Sequence, residues 1–234
     1  MRNLFLLLPL TIIGITTITS CKKIGCTDPI ASNYDTKAKN EDGSCIYKDI
    51  NGNSFGSIKI GNQIWMTSDL KATSFRNGDL IPCGQFAAWG TLTSSAFCDF
   101  MNEPSKGRLY NWYAVNDSRE IAPAGWHIPT DAEWANLSAY LGGDATSGKK
   151  LKATSGWNSN GNGSNESGFN GYPGGIREFN EGLFCYSGVS GFWWSLSESA
   201  ADSAYYRQLG YYHDQLIRGY RSKNNGMSVR CIRD

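Results

Sequence analysis

Apolar positions recur along this chain with two different periods. Between Asp131 and Leu141, Trp134, Leu137 and Leu141 fall at i, i+3 and i+7, a single stripe on a helix. Just upstream, Thr130 and Glu133 have the T-x-x-E spacing of a capping box, in which hydroxyl and carboxylate each satisfy a backbone N–H. Pro129 favours an extended residue before it, so the chain enters this helix from a strand. Gly142 and Gly143 supply the left-handed residue that ends it. The pattern predicts a helix from about Asp131 to Leu141. Elsewhere the period is two. Ile58, Ile60 and then Ile64, Met66 flank Gly61-Asn62 and predict an opening hairpin, with a further turn at Asn51-Gly52. The stretches GFWWSLSES, AYYRQLGYY, DQLIRGYRS and GMSVRCIRD predict a terminal antiparallel meander, with Asn224-Asn225-Gly226 turning into its last strand. GRLYNWYAVN, from Gly107 to Asn116, fits either a strand or a helix. Residues 72–106 and the Gly/Asn/Ser-rich residues 142–175 show neither period.

Composition narrows the class. The 234 residues are 40% hydrophobic and 13% aromatic with only 18% charged, which excludes a polar disordered chain and allows one sizeable domain plus a small module. Residues 1–20 read as a secretory signal: Arg2, then an apolar core from Leu4 to Ile15 that Pro9 and Gly14 interrupt. Ile18-Thr19-Ser20-Cys21 fits a bacterial lipobox, so Cys21 is the expected lipid site and the membrane the expected partner through that anchor. Lys22 stands where an aspartate would favour retention in the inner membrane, so the expected location is the outer membrane, facing either side. Beyond residue 20, basic and acidic side chains both number 21, leaving no overall field for a polyanion and disfavouring nucleic acid.

Six further cysteines, Cys26, Cys45, Cys83, Cys98, Cys185 and Cys231, make an even set that reads as disulfides in an exported chain. Neighbour order favours Cys26–Cys45 and Cys83–Cys98, leaving Cys185–Cys231. No C-x-x-C occurs and His127 and His213 lie far apart, so no metal or other cofactor is expected. Residues 21–48 form a separate module on this reading. Its Asp28, Asp35 and Asp42 lack calcium-loop spacing and read as turn residues stapled by Cys26–Cys45.

KIGNQIWMTSDLK (Lys59 to Lys71), GRLYNWYAVN, GWHIPTDAEW (Gly125 to Trp134), WWSLSES (Trp193 to Ser199) and SVRCIRD (Ser228 to Asp234) follow one another in this order. Together they resemble the Fibrobacter succinogenes major paralogous domain family over residues 49–234. The resemblance implies an α+β, C-type-lectin-like fold: twisted antiparallel sheets with one or two short helices and long structured loops. It also implies a distant similarity to formylglycine-generating sulfatase-modifying factors, whose chemistry needs two redox cysteines close together. Cys185 and Cys231 are widely separated, so that chemistry is not carried over and no catalytic residue is expected. The echoes of a calcium-lectin loop at Asn102-Glu103-Pro104 and Asn116-Asp117 are in the wrong order.

Glu133 reads as a helix cap and His127 as a core histidine bonded to backbone. Glu166 and Glu198 sit among small residues, as a catalytic pair or as structural acceptors. The paired aromatics Trp193, Trp194, Tyr205, Tyr206, Tyr211 and Tyr212 should send one member of each pair to either face of its strand, one to the core and one outward. With Glu198, the outward set is the expected ligand-binding platform for a glycan or surface protein. The expected protein is an outer-membrane-anchored lipoprotein that binds an extracellular ligand. A structural subunit of an adhesin-like or fimbria-like assembly is the alternative, and an enzyme related to sulfatase modifiers a more remote one.

Overall fold

The computed structural model describes residues 22–84, 86–102 and 107–234, so the signal segment and Cys21 lie outside the described residues. Antiparallel sheets dominate, with three short helices among the described residues, an α+β architecture that is mainly β. In the five-stranded sheet the order is Ile46–Lys48, Ser54–Ile60, Gln63–Met66, Ile232–Arg233, Trp126–His127. Its hairpin is the expected one. Ile60 faces Gln63 across Gly61 and Asn62, and Gly61 takes the positive φ of 62° that a tight two-residue turn requires.

Helix α1 (Trp112–Val115) follows the strand Arg108–Tyr110 directly, so the ambiguous aromatic stretch is both elements in turn. Asn111 caps it by accepting from the Ala114 N–H. Helix α2 (Asp131–Tyr140) has the expected capping box in both directions, with Thr130 as N-cap. Its stripe of Trp134, Leu137 and Leu141 is buried, and Gly142 and Gly143 follow with φ of 105° and 93°. The long polar passage after it contains α3 (Ser147–Leu151). Lys152, buried at its end, donates to the carbonyls of Gly210 and His213 and fastens the passage to the end of the meander.

The meander has three strands, Ser190–Ala200, Ser203–Gly210 and Leu216–Ser222. The last segment does not become its fourth strand, contrary to the sequence pattern. Residues 226–228 bridge Arg177, Tyr110 and Trp193 in turn, and Ile232–Arg233 then inserts between Trp65 and His127 in the other sheet. The 190–200 strand is covered on both faces. Trp194 packs into a core with Trp112, Phe192 and Tyr206, whereas Trp193 packs into a second core with Trp65, Trp134 and Phe169.

Two further expectations are corrected. Residues 21–48 are not a detached module, because Ile46–Lys48 is an edge strand of the five-stranded sheet and Tyr47 packs on Phe55 and Trp126. Asp28, Asp35 and Asp42 do serve turns, each accepting from an N–H two residues on. Of the three expected disulfides, only Cys26–Cys45 is formed among the described residues; Cys83, Cys98, Cys185 and Cys231 are thiols. Cys83 lies opposite Phe97 rather than Cys98, and a one-residue offset turns the Cys98 side chain to the other face. Cys185 belongs to a small hairpin with Ile176, while Cys231 is fully buried beside the five-stranded sheet, its carbonyl accepting from the Met66 N–H.

Candidate functional site: the Asp69–Arg230 cleft

A cleft of about 310 Å³ opens where the end of the hairpin meets the last segment of the chain. Leu70 donates its N–H to the Val229 carbonyl at 2.8 Å, and Ser228 exchanges backbone bonds with Phe192 and Trp194. These bonds place Asp69 beside Arg230. The guanidinium is 1% exposed and donates from Nε and Nη2 to Asp69 Oδ1 at 2.8 and 2.6 Å. Its Nη1 donates to the carbonyls of Met66 and Phe169, and its plane lies 4.2 Å from the centroid of the Phe169 ring. Trp193 Nε1 also donates to Asp69 Oδ1, at 2.8 Å. One carboxylate oxygen therefore takes three donors, and Oδ2 takes none from the described residues.

The rest of the lining is similarly unengaged. Ser228 is 6% exposed, yet its Oγ has no hydrogen-bond partner among the described residues and borders the cleft. Asn170 holds a left-handed backbone at φ 56°, and its own side-chain amide is free while its N–H donates to Asn165 Oδ1. The Tyr172 ring is half exposed and packs so closely on Gly156 that a Cβ there would lie 2.3 Å from it. Lys71 stands exposed at the rim without an acidic partner.

The model of the Fibrobacter succinogenes major domain matches residues 58–233. The chain belongs to this family. No curated protein and no solved structure matches it significantly. In this Fibrobacter succinogenes major domain, the cleft joins three of the stretches that carry the resemblance: 59–71 gives Asp69 and Lys71, 193–199 gives the Trp193 indole, and 228–234 gives Ser228 and Arg230.

The expected platform is distributed differently. Trp193 and Trp194 are both fully buried, because both faces of their strand are covered, and Tyr206 is buried too. Tyr205 is partly covered by Arg218, whose guanidinium lies 3.9 Å from its ring centroid. Only Tyr212 is widely exposed, with Tyr211 packed edge-on against it. Glu198 forms an ion pair with Lys223 at 3.0 Å, and Glu166 lies 3.9 Å from Lys150, so the two carboxylates are not a pair. Trp193 is thus a positioning residue for Asp69 rather than a contact surface. Asp69, Asn170, Tyr172, Ser228 and Arg230 escaped the sequence reading. The available signal was Arg230, a charge between the apolar Val229 and Cys231 in a strand-like run.

A second hollow of about 230 Å³ lies beside His127 on the domain's other core. His127 is not bonded to backbone as expected: Nδ1 lies 2.7 Å from Asp234 Oδ1 and Nε2 2.9 Å from Glu133 Oε1. Burial opposes its charge, but the bonds to Glu133 and Asp234 prevail and raise its pKa above 6.5. Burial likewise raises Glu133, and the Thr130 N–H and His127 outweigh it, so its pKa falls below 4.5. Arg76 is paired with Glu120, and Asp117 is taken by Arg119 and Ser95. The charged groups of this hollow are engaged with one another, whereas those of the Asp69–Arg230 cleft are not. The cleft is the better candidate.

Proposed function

We propose that this chain is a lipid-anchored, exported binding protein with a C-type-lectin-like domain, held at the outer membrane through Cys21, whose cleft at Asp69 and Arg230 receives an extracellular ligand, glycan or protein. One observation carries the reading. A folded chain ordinarily pairs its buried polar groups, because an unpaired one costs about 1–3 kcal/mol. Here a carboxylate oxygen and a nearly buried hydroxyl remain unpaired side by side in an open cleft, where a ligand would satisfy them.

Recognition without chemistry fits the same lining. Asp69 is held in place by Trp193 and Arg230, and Ser228 has no histidine among the cleft side chains to activate it. Anchoring rests on the lipobox and on chain arithmetic, since about 0.8 kcal/mol per buried methylene makes two acyl chains a stable anchor. Two experiments test the proposal. Metabolic labelling with an alkynyl fatty acid should mark the wild type and leave Cys21→Ser unmarked. Retention of the full chain, in detergent, on immobilised cell-surface polysaccharides or extracellular proteins should exceed that of an Asp69→Ala variant, and retention on neither overturns the binding reading.

A further inference from the structure

Building on that reading of the cleft as a ligand site, we infer that its occupant is a pyranose saccharide, seated on the Tyr172 ring with its hydroxyls directed to Asp69 Oδ2, Ser228 Oγ and the Asn170 amide. The chemistry of the lining selects this class. A sugar ring offers adjacent O–H groups that donate and accept at once, beside an apolar C–H face. The cleft offers a fixed acceptor in Asp69 Oδ2, a hydroxyl of either sense in Ser228 and an amide of both senses in Asn170. Thr67 and Ser68 add two further hydroxyls, neither bonded by its oxygen to a described residue. Tyr172 supplies a half-exposed aromatic ring for the C–H face.

Other small occupants fit less well. Asp69 neutralises the Arg230 guanidinium and all but one of its N–H directions are engaged, so a phosphate would find only Lys71. An apolar side chain would leave the Asp69 oxygen and the Ser228 hydroxyl buried and unsatisfied. The volume of about 310 Å³ accommodates one or two sugar rings, so the site reads a terminal residue or a short segment of a glycan rather than a long chain. Trp193 acts through Asp69: its N–H fixes which carboxylate oxygen stays free, and Arg230 fixes the plane. Both are positioning residues.

The test uses the full chain in detergent against an array of neutral and uronic-acid-containing oligosaccharides. Binding to at least one member is expected. Ser228→Ala and Tyr172→Ala should each weaken it about tenfold or more, because neither side chain makes a hydrogen bond to the described fold. Thermal melts of both variants should stay near the wild type, which separates lost contacts from lost folding. Lys71→Ala distinguishes the two kinds of sugar: it should weaken an acidic oligosaccharide and leave a neutral one unchanged. Tyr140→Ala, which removes an exposed ring elsewhere on the surface, should change nothing. Saccharide binding that survives Ser228→Ala and Tyr172→Ala overturns the cleft assignment and leaves the wider binding function standing. An array without any bound member, together with retention on extracellular proteins that Asp69→Ala abolishes, overturns the saccharide and leaves the cleft.

Discussion

Asp69 and Arg230 show how one side-chain pair can serve structure and site together. Arg230 is fully desolvated, and removing either partner leaves the other charge buried without compensation, an effect of about 3–5 kcal/mol. Arg230→Met should therefore lower stability by that order in urea melts. Replacing both, as Asp69→Leu with Arg230→Met, should restore only part of it. The carbonyls of Met66 and Phe169 and the Trp193 N–H would still have lost their partners. Thiols allow a second check at this scale. Cys83 is exposed, Cys185 half-buried, and burial pushes the Cys98 thiol up to about 11 and Cys231 further still. Alkylation of the folded protein at pH 8 should reach Cys83 first and Cys231 only after denaturation, as peptide mass mapping would read.

Helix α2 shows the same economy in an element. Thr130 accepts from the Glu133 N–H, and Glu133 Oε2 accepts from the Thr130 N–H and hydroxyl. The other oxygen, Oε1, holds His127, which also binds Asp234 near the end of the chain. Thr130→Ala should cost about 0.5–2 kcal/mol, the usual loss of an N-cap side chain. Glu133→Gln preserves the cap but loses an anionic partner for His127, so its effect should grow when His127 is charged. The pH dependence follows from the two shifts. His127 has a folded pKa above 6.5, so its contribution is full below 6.5 and lost as pH rises through the raised value. Glu133 has a folded pKa below 4.5, so its contribution is full above 4.5 and lost as pH falls through the lowered value. Stability from this cluster should peak between pH 4.5 and 6.5, and His127→Gln should abolish the decline on the alkaline side in melts taken from pH 5 to 8.

Across the whole molecule, the end of the chain is the common fastening. Ile232 joins the opening hairpin to the 126–127 strand, and Arg233 reaches Asp28 near the start of the described chain. The Arg233 hydrogen bond draws the Asp28 carboxyl down to about 2, burial opposing, and Tyr47 donates to the same group at 2.7 Å. Arg233 also lies over the Tyr47 and Trp126 rings. Arg233→Ala should loosen residues 26–48 without unfolding α2. Hydrogen exchange would show faster amides in the Cys26–Cys45 segment and unchanged ones in 131–140, and equal acceleration in both would refute this division.

Much of the local architecture was determined by the sequence itself. The capping box at Thr130 and Glu133, the stripe of Trp134, Leu137 and Leu141, and the Gly61-Asn62 turn depend on residues within a few positions of one another, so local spacing suffices. The order of motifs likewise sufficed for the family. Partners distant in sequence were decided by tertiary structure. Alternation correctly sent Trp193 and Trp194 to opposite faces, but nothing local indicated that both faces would be covered. The one-residue offset between Cys83 and Cys98 is likewise invisible until Cys83 lies opposite Phe97. The cleft depends on tertiary structure most of all. Asp69 and Arg230 are 161 residues apart, and only the insertion of the last strand beside the first hairpin brings a carboxylate and a guanidinium together. Side-chain period reports which face a residue occupies, while register and strand order, set by the packing of the whole chain, decide what that face meets.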